Sequence, residues 1–505
     1  MSEQDPETTP VIVGVGQIND RPEKATDGLD PVQLMVEALR RADANAGGGL
    51  LADCDSLAIV AQLAWPHLNP VDGKVAEALG INPGHRMQTA MPNGDSPILL
   101  LHEAANRIGR GDANICAIAG GEALRTAGQL AAEKKHEGGE KPNALRDATH
   151  RVRKGFAQSY GLVVPTDVYP LYENAGRPAY GQTLVEGQAE SGEIWASLSN
   201  VAASSEGAWI RKPVSADAVV TPTADNRPIA FPYTKFQVAN SAVNQGAAFI
   251  VSSLAEARRR SIPDAHMVHV GYGAAAHESG NFLNRDRYDI SPSLATSIER
   301  TLELNAIGPD DLAHVELYSC FPCVPKMARR VLGWPSDKPA SVFGGLTFGG
   351  GPIGNYMSHA VVAMVGKLRG TADRGLLFAN GGYATHNHTI VLSGAPTDAV
   401  FPQNFDYQSE ADERRGSVPV IDESYTGPAT IETYTVHYHR DGSPKSGVIV
   451  ARTPTGSRTL ASVSAEDGDM ITFLTDGQYE PVGTKGVICK QGNSLAIWQR
   501  EESQN

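Results

Sequence analysis

The chain has 505 residues, of which 41% are hydrophobic and 20% charged, and its net charge is −14 at pH 7. The length predicts about three folded units, and the acidic balance argues against nucleic acid as the main partner, because phosphate binding needs a basic face. The sequence contains no apolar run of about 18 residues, so we expect no membrane span. The five cysteines are few and scattered, and the N-terminus is acidic. We therefore predict a cytoplasmic protein without a disulfide framework or a signal peptide.

The first predicted elements alternate between strand and helix. The apolar run "VIVGVG" at 11–16 predicts a buried strand, and "PVQLMVEALRRADANAG" predicts a helix that begins near Pro31. The segment "DSLAIVAQ" predicts a second buried strand. This alternation is typical of an α/β fold with a mainly parallel sheet.

One order of elements occurs twice along the chain. In the first half, a turn, a helix and a strand follow one another as "MPNGDSP", "ILLLHEAANRIGRG" and "NICAIAGGEA". In the second half, the same three elements follow one another as "FGGLTFGGGPIG", "NYMSHAVVAMVGKLRG" and "GLLFANGGYA". We interpret this as an internal duplication of an α/β layer. Residues 1–125 with 226–265 are predicted to form the first half and 266–394 the second. Residues 126–225, between them, are predicted to form an inserted loop subdomain that binds substrate.

The pattern changes after residue 394. Residues 395–428 are polar and contain prolines, which predicts a linker. Residues 429–505 contain the short segments "TIETYTVHY", "GVIVAR", "TLASV", "ITFLT" and "GVICK", each bounded by turn signals. Short strands at such spacing predict a small all-β domain, either a five-stranded barrel of the OB type or a sandwich.

Several of these segments resemble the thiolase superfamily, and specifically its thiolase-like proteins of type 1, which carry an extra C-terminal β domain. "ANSAVNQGAAFIVSS" resembles the family's N-A-S-G-x-N-D-G-A-A segment, with Gln245 in place of the aspartate. "ELYSCFP" resembles the sterol-carrier variant of the N-E-A-F motif, and "GGLTFGGGPIG" has the spacing of G-G-x-x-x-x-G-H-P-x-G. The resemblance implies a duplicated thiolase fold with five layers, αβαβα.

The positions that carry thiolase chemistry differ from the family pattern. The resemblance places the nucleophilic cysteine at Gly94 and the catalytic histidine at Gly351. It places the acid/base cysteine at Asn380 and the asparagine of N-E-A-F at Tyr318. Glycine accepts neither an acyl group nor a proton. The resemblance therefore implies an acyl-CoA pocket of the acetyl-CoA acetyltransferase type whose usual chemistry is altered or lost.

Two residues are candidates for a relocated catalytic role. Cys320 lies in "CFPC" and His386 in "THNHT", and they are our predicted catalytic residues. The alternatives are that Cys320 is a buried small hydrophobic residue and that His386 and His388 are structural histidines on one strand face. Ser96 is the nearest hydroxyl to the lost cysteine, and the competing interpretation is a helix N-cap before Pro97.

The expected ligand is coenzyme A or an acyl-CoA, with no covalently bound cofactor and no metal. The resemblance implies that Ser241 lines the pantetheine channel, and Asn244 lies in the same loop. Arg151, Arg153 and Lys154, in the insert, are predicted to contact the phosphates of coenzyme A.

Three functions remain open at this point. The first is an acyl-CoA-binding protein with altered or lost transferase chemistry. The second is a non-enzymatic module whose β domain docks onto a protein partner. The third is a redox or metal enzyme built on Cys320, Cys323, His386 and His388. The chain is predicted to be a monomer or a homodimer.

Overall fold

The computed structural model describes residues 5–136, 155–492 and 494–500. Arg151, Arg153 and Lys154 lie outside the described residues. The helices are α1 (Pro31–Asn45), α2 (Asp72–Leu79), α3 (Ser96–Gly109), α4 (Leu124–His136), α5 (Phe156–Ser159), α6 (Pro165–Ala179), α7 (Leu184–Ser204), α8 (Ala216–Val220), α9 (Leu254–Arg259), α10 (Pro292–Leu304), α11 (Cys323–Leu332), α12 (Tyr356–Leu368), α13 (Gln408–Arg414) and α14 (Gly468–Thr475).

The strands divide between two sheets. Those of the first sheet are β1 (Pro10–Asn19), β2 (Ser56–Ile59), β3 (His85–Gln88), β4 (Ile115–Ala123), β7 (Asn244–Ser253), β8 (Val268–His277), β9 (His314–Leu317), β10 (Arg374–Gly381) and β11 (His386–Ser393). Those of the second are β5 (Pro228–Ala230), β6 (Tyr233–Thr234), β12 (Gly427–Tyr438), β13 (Pro444–Arg452), β14 (Arg458–Ser464), β15 (Lys485–Cys489) and β16 (Ile497–Arg500).

The first sheet contains the predicted duplication, but the prediction of a mainly parallel sheet is wrong. Three of its eight strand pairings are parallel and five are antiparallel, because alternating strands and helices predict parallel pairs only where a helix connects neighbouring strands. Its order is β3-β2-β4-β7-β1-β8-β11-β10-β9. In the first half β2 and β4 are parallel, and β7 and β1 follow as antiparallel neighbours. In the second half β9 and β10 are parallel, and β11 and β8 follow in the same way. The two halves meet where β1 pairs with β8, at Val11 opposite His269 and Ile12 opposite Val268.

Local sequence explains where the helices begin and which faces they bury. Helix α1 starts with a capping box, in which Asp30 accepts from the Gln33 N–H at 2.9 Å and Gln33 accepts from the Asp30 N–H at 3.0 Å. Pro31 occupies the first turn, where its missing N–H costs nothing. The apolar residues at helical spacing, among them Leu34 and Leu39, are fully buried and turn α1 toward β1, β4 and β7.

The helices and half-sheets stack in five layers. Helices α1 and α2 cover the outer face of the first half-sheet, and α10 and α11 cover that of the second. Between them lie α3 and α12, which contact each other; α12 packs against β1 and β7 on one side and β10 and β11 on the other. This arrangement brings the first turns of α3 and α12 to the same region of the core.

The second sheet forms a closed barrel in the C-terminal region. Strand β12 pairs with both β13 and β15, and the circuit continues through β14 and β16. Residues 228–234 form β5 and β6, and Ala230 of β5 pairs with His437 of β12. The closed barrel agrees with the predicted all-β domain, while its assignment to the OB type and the domain boundaries stay predictions.

One barrel prediction is wrong. The segment "ITFLT", predicted as a strand, lies in helix α14, where Asp467 caps the helix by accepting from the Met470 N–H at 3.1 Å. Ile471, Phe473 and Leu474 are buried against the barrel core. Tertiary packing thus overrides the β propensity of this short apolar run. No helix of the described residues is both long enough and apolar enough to cross a membrane.

Candidate functional site

A cavity of about 310 Å³ lies where the turn before α3, the loop after β9 and the turn before α12 meet. The end of β10 and the first turn of α6, from the insert, complete its wall. All four positions at which the chain departs from the thiolase pattern line this cavity. They are Gly94, Tyr318, Gly351 and Asn380.

The absence of a side chain at Gly94 has a steric reason. A Cβ atom on residue 94 would lie well under 3.0 Å from both the Tyr318 hydroxyl and the Asn380 carbonyl oxygen. Real Cβ atoms essentially never approach other heavy atoms so closely. The Tyr318 hydroxyl therefore occupies the space into which a nucleophilic side chain at position 94 would extend.

Tyr318 is held in an unusual backbone conformation. Its φ is 34°, which is uncommon for a residue other than glycine and is often found at functional sites. The ring packs edge-on against Tyr356, with centroids 5.8 Å apart. Within the described chain the hydroxyl makes no hydrogen bond, although it borders the cavity. Burial raises the pKa of Tyr318 well above its usual value, so the phenol stays protonated and can donate a hydrogen bond.

Asn380 is held by hydrogen bonds on both sides of its amide. Its Oδ1 accepts from the Tyr169 hydroxyl at 3.0 Å, and its Nδ2 donates to Asn387 Oδ1 at 2.8 Å. The same Tyr169 hydroxyl accepts from the Ala384 N–H at 2.9 Å. An amide in this position cannot exchange a proton as a cysteine can, and its bonds fix the end of β10.

The turn before α12 has glycine at the position of the catalytic histidine. The Gly351 N–H donates to the Asn240 carbonyl at 2.8 Å, and a Cβ atom on Gly351 would lie 3.2 Å from that oxygen. Gly350 has a φ of 107°, a conformation that favours glycine. Among the described residues that line the cavity there is no histidine.

Cys320 lines the cavity, but its surroundings do not activate it. Burial raises the pKa of the Cys320 thiol to about 12, and burial raises that of Cys323 well above the usual value. The Cys323 thiol turns away from the cavity toward the Tyr169 carbonyl, 3.8 Å distant. A thiol must ionise to act as a nucleophile, so this environment favours the interpretation of Cys320 as a buried apolar residue. Its catalytic role stays a prediction.

His386 lies outside the cavity wall. Its Nδ1 is 4.0 Å from Oδ2 of Asp95, and its ring packs edge-on against His277 with centroids 4.8 Å apart. Burial raises the pKa of Asp95 to about 6. His388 makes a separate contact, since its Nε2 lies 3.1 Å from Nδ1 of the buried His102. In the parts of the chain that the structure describes, no three His, Cys, Asp or Glu side chains are grouped to hold a metal.

The predicted binding residues are found in different surroundings. Ser241 lines the cavity, as the resemblance implied. Asn244 does not: it is fully buried at the start of β7, where its Nδ2 donates to Thr126 Oγ1 at 2.7 Å and to Asp20 Oδ2 at 3.2 Å. Ser96 does not line the cavity either, and its Oγ accepts from the Asn93 N–H at 3.1 Å. Helix α3 has Asp95 as its N-cap, without a capping side-chain bond.

The sequence predicted that the insert contributes to the substrate site, but it did not indicate which residues of the insert line the cavity. Tyr169, in α6, is fully inside the protein and stacks on Phe321 with ring centroids 4.4 Å apart. Val164, Pro165 and Thr166 line the cavity at the start of the same helix. The sequence "VVPTDVYP" carries the helix signal of Pro165 at the first turn, but nothing in it indicates which cavity the helix faces.

The chain is similar to thiolase-like proteins of type 1. The family of thiolase-like protein type 1 additional C-terminal domains matches residues 407–493. The crystal structure of a monomeric SCP2-thiolase-like protein type 1 from Mycobacterium smegmatis is similar to 99% of this chain, over 100% of its own, at 30% identity and a TM-score of 0.82. No curated protein sequence matches the chain significantly.

More distant structures share the fold. An Ltp2-ChsH2(DUF35) aldolase is 17% identical over 77% of this chain and 98% of its own, with a TM-score of 0.58. The dimeric peroxisomal thiolase of Saccharomyces cerevisiae is 16% identical over 77% of this chain and 98% of its own, with a TM-score of 0.57. These likenesses confirm the thiolase fold. Because the Mycobacterium smegmatis protein is 30% identical over nearly the whole of both chains, this chain belongs to the family of SCP2-thiolase-like proteins of type 1.

Proposed function

We propose that the protein binds an acyl-CoA through the cavity at Gly94 and that the usual transferase chemistry of thiolases is altered or lost. The observation that carries this proposal is the position of the Tyr318 hydroxyl, which fills the space of a nucleophilic side chain at residue 94. The cavity has a volume of about 310 Å³, and it presents a hydrogen-bond donor at the position of the nucleophilic thiol. A few scattered cysteines also support a cytoplasmic location.

A thioester carbonyl fits the donors that the cavity offers. The phenol of Tyr318 stays protonated, because burial raises its pKa. The Gly94 N–H, two residues before the 14-residue helix α3, has no hydrogen-bond acceptor among the described residues. Both groups favour a partial negative charge on a carbonyl oxygen, and the helix dipole adds to this preference. Ser241 is then the residue for the pantetheine arm.

The same residues argue against acyl transfer through a covalent intermediate. Such transfer needs a nucleophile and a base that takes its proton. The cavity offers the Cys320 thiol, whose pKa burial raises to about 12, and its described wall contains no histidine to act as the base. An acyl group bound here stays on its own sulfur.

Calorimetric titration with acetyl-CoA tests the proposal. We expect saturable binding, and we expect Tyr318→Phe to weaken it by roughly threefold to tenfold, the effect of one neutral hydrogen bond. Tyr479→Phe is the matched control, because Tyr479 is 67% exposed in the barrel region and does not line the cavity. Absence of binding to wild type, or an acylated protein in intact mass spectra, contradicts the proposal.

A protein partner at the C-terminal barrel is a second candidate function. Several of the large apolar side chains that remain exposed lie in or beside the barrel, including Tyr479, Leu495 and Ile497. Exposed apolar groups of this kind are found at protein interfaces. A pull-down from cell extract with wild type and with Ile497→Glu tests it: a stoichiometric partner lost in the variant supports the candidate, and elution of the wild-type chain alone contradicts it.

A further inference from the structure

The C-terminal barrel holds the helix of the insert that forms one wall of the cavity. Strand β12 of the barrel packs against α6. Thr433 Oγ1 in the strand donates to the Leu171 carbonyl of the helix at 2.6 Å. In the other direction, Asn174 Nδ2 in the helix donates to the Tyr434 carbonyl at 2.8 Å. A change in β12 can therefore reach the cavity through α6.

Asp167 holds the start of α6 in place. Its Oδ2 accepts from the Val163 N–H at 3.1 Å and from the Val164 N–H at 2.9 Å. Val164, Pro165 and Thr166 line the cavity directly before it. An acidic side chain in the first turn of a helix satisfies N–H groups that lack a partner within the helix. The position of this carboxylate therefore helps to set the position of the cavity wall.

His437, in β12, faces the other oxygen of the same carboxylate. The histidine is only 8% exposed, and its Nε2 lies 3.8 Å from Asp167 Oδ1. Within the described chain this nitrogen makes no hydrogen bond, although it is buried. A separation of 3.8 Å is too long for a hydrogen bond, but a shift of about 1 Å would close it.

The charges around His437 determine when it takes up a proton. Burial lowers the pKa of His437, the Asp167 carboxylate raises it, and the Lys445 ammonium in β13 lowers it. The ring is therefore neutral at pH 7 and becomes charged below the usual histidine pKa of about 6.5. Tyr383 also faces Asp167, and its hydroxyl donates to the Val163 carbonyl at 2.8 Å. Burial raises the pKa of Tyr383, so this phenol stays neutral throughout the same range.

We propose that His437 is a positioning residue for the cavity, and that its protonation draws Asp167 into an ion pair that fixes the start of α6 and tightens acyl-CoA binding. The proton comes from solvent and stays on the imidazole, whose Nε2–H donates to Asp167 Oδ1 while Oδ2 keeps its two N–H groups. A wall that is held through both oxygens loses less freedom when a ligand binds. The identity of the ligand rests on the proposed function, whereas the fixing of the wall does not.

Titrations of an S-acetyl pantetheine thioester at about pH 5 and about pH 7.5 test this inference. This probe has no phosphate, whereas the phosphates of acetyl-CoA titrate near pH 6. The variants are His437→Gln, which cannot take up the proton, and Asp167→Asn, which keeps an acceptor for the two N–H groups but loses the charge. Asp167→Asn answers the same question if His437→Gln does not fold. His439→Gln is the matched control, because His439 is an exposed histidine only two residues away.

We expect the thioester to bind wild type and His439→Gln more tightly at the lower pH. The ratio of the two affinities should be about threefold to fivefold larger in these proteins than in His437→Gln or Asp167→Asn, the range that a partly exposed ion pair allows. Other groups near the cavity also titrate, among them Asp95, whose pKa burial raises to about 6. They titrate equally in all four proteins, so their contribution cancels in this comparison.

A measurement without ligand separates the inference from the function on which it rests. Methyl NMR of protein with labelled valines reports on Val164, in the cavity wall. We expect the Val164 signal to shift with the protonation of His437 in wild type and to lack this shift in His437→Gln. If the signal shifts in this way but no thioester binds, the positioning role stands while the proposed function fails.

Two results overturn the inference while leaving the proposed function intact. In the first, wild type and His437→Gln show the same ratio of affinities at the two pH values, and an equal weakening at both values would assign His437 to the integrity of the fold. In the second, the thioester binds wild type but the Val164 signal does not follow the protonation of His437.

Discussion

Placing a methyl group on residue 94 should destabilise the protein by about 3 kcal/mol. The Cβ atom of Gly94→Ala would lie well under 3.0 Å from the Tyr318 hydroxyl and from the Asn380 carbonyl oxygen. Overpacking of a filled site costs typically about 1–3 kcal/mol. We expect the upper end of this range, because the Asn380 oxygen is part of the backbone of β10 and cannot rotate away.

Urea denaturation of single and double variants measures this cost. Gly73→Ala is the matched control: it lies in α2, a Cβ atom there meets nothing within 4 Å, and alanine in a helix is favoured over glycine by up to about 1 kcal/mol. Combining Gly94→Ala with Tyr318→Phe removes the nearest oxygen and should recover about 1 kcal/mol as coupling energy. A fully stable Gly94→Ala, or no coupling with Tyr318→Phe, refutes the reasoning that Tyr318 fills the nucleophile's position.

Further predictions concern titration, thiol reactivity and a buried ion pair. Burial raises the pKa of Asp95 to about 6, so the folded protein keeps a proton that the unfolded chain releases between about pH 4 and 6. Wild-type stability should then fall by up to about 3 kcal/mol as the pH rises through that window, and urea midpoints of Asp95→Asn should lack this fall. Iodoacetamide at pH 8 should label Cys489, the half-exposed thiol, long before Cys320, and peptide mass spectrometry that finds Cys320 modified first contradicts this. Lys326→Met should lower the free energy of unfolding by about 3–5 kcal/mol, because it leaves Glu173, now 2.5 Å from the Lys326 Nζ, buried without its partner; a loss below about 1 kcal/mol in urea contradicts it.

The sequence predicted the core of the fold because its signals there are local. The strands β1, β4 and β10 each contain a short run of apolar residues and glycines, and the helix that begins at Pro31 carries its own cap at Asp30. The prediction of a strand for "ITFLT" was wrong because its local signal is ambiguous. Its five residues suit either a strand or a helix, and packing against the barrel decided for the helix.

The candidate site was predictable in its positions but not in its contacts. Gly94, Gly351 and Ser241 fall in segments with a recognisable spacing, and all three line the cavity. The role of Tyr318 depends on a backbone of positive φ and on the meeting of two loops more than 200 residues apart.

A crystal structure of the protein soaked in acetyl-CoA tests most directly whether the cavity holds an intact thioester against the Tyr318 hydroxyl. We expect electron density for an unbroken acetyl thioester whose carbonyl oxygen lies within about 3.2 Å of Tyr318 Oη, the range of a hydrogen bond. An acetyl group bonded covalently to the protein, or acetyl-CoA bound elsewhere with this cavity empty, would contradict that expectation.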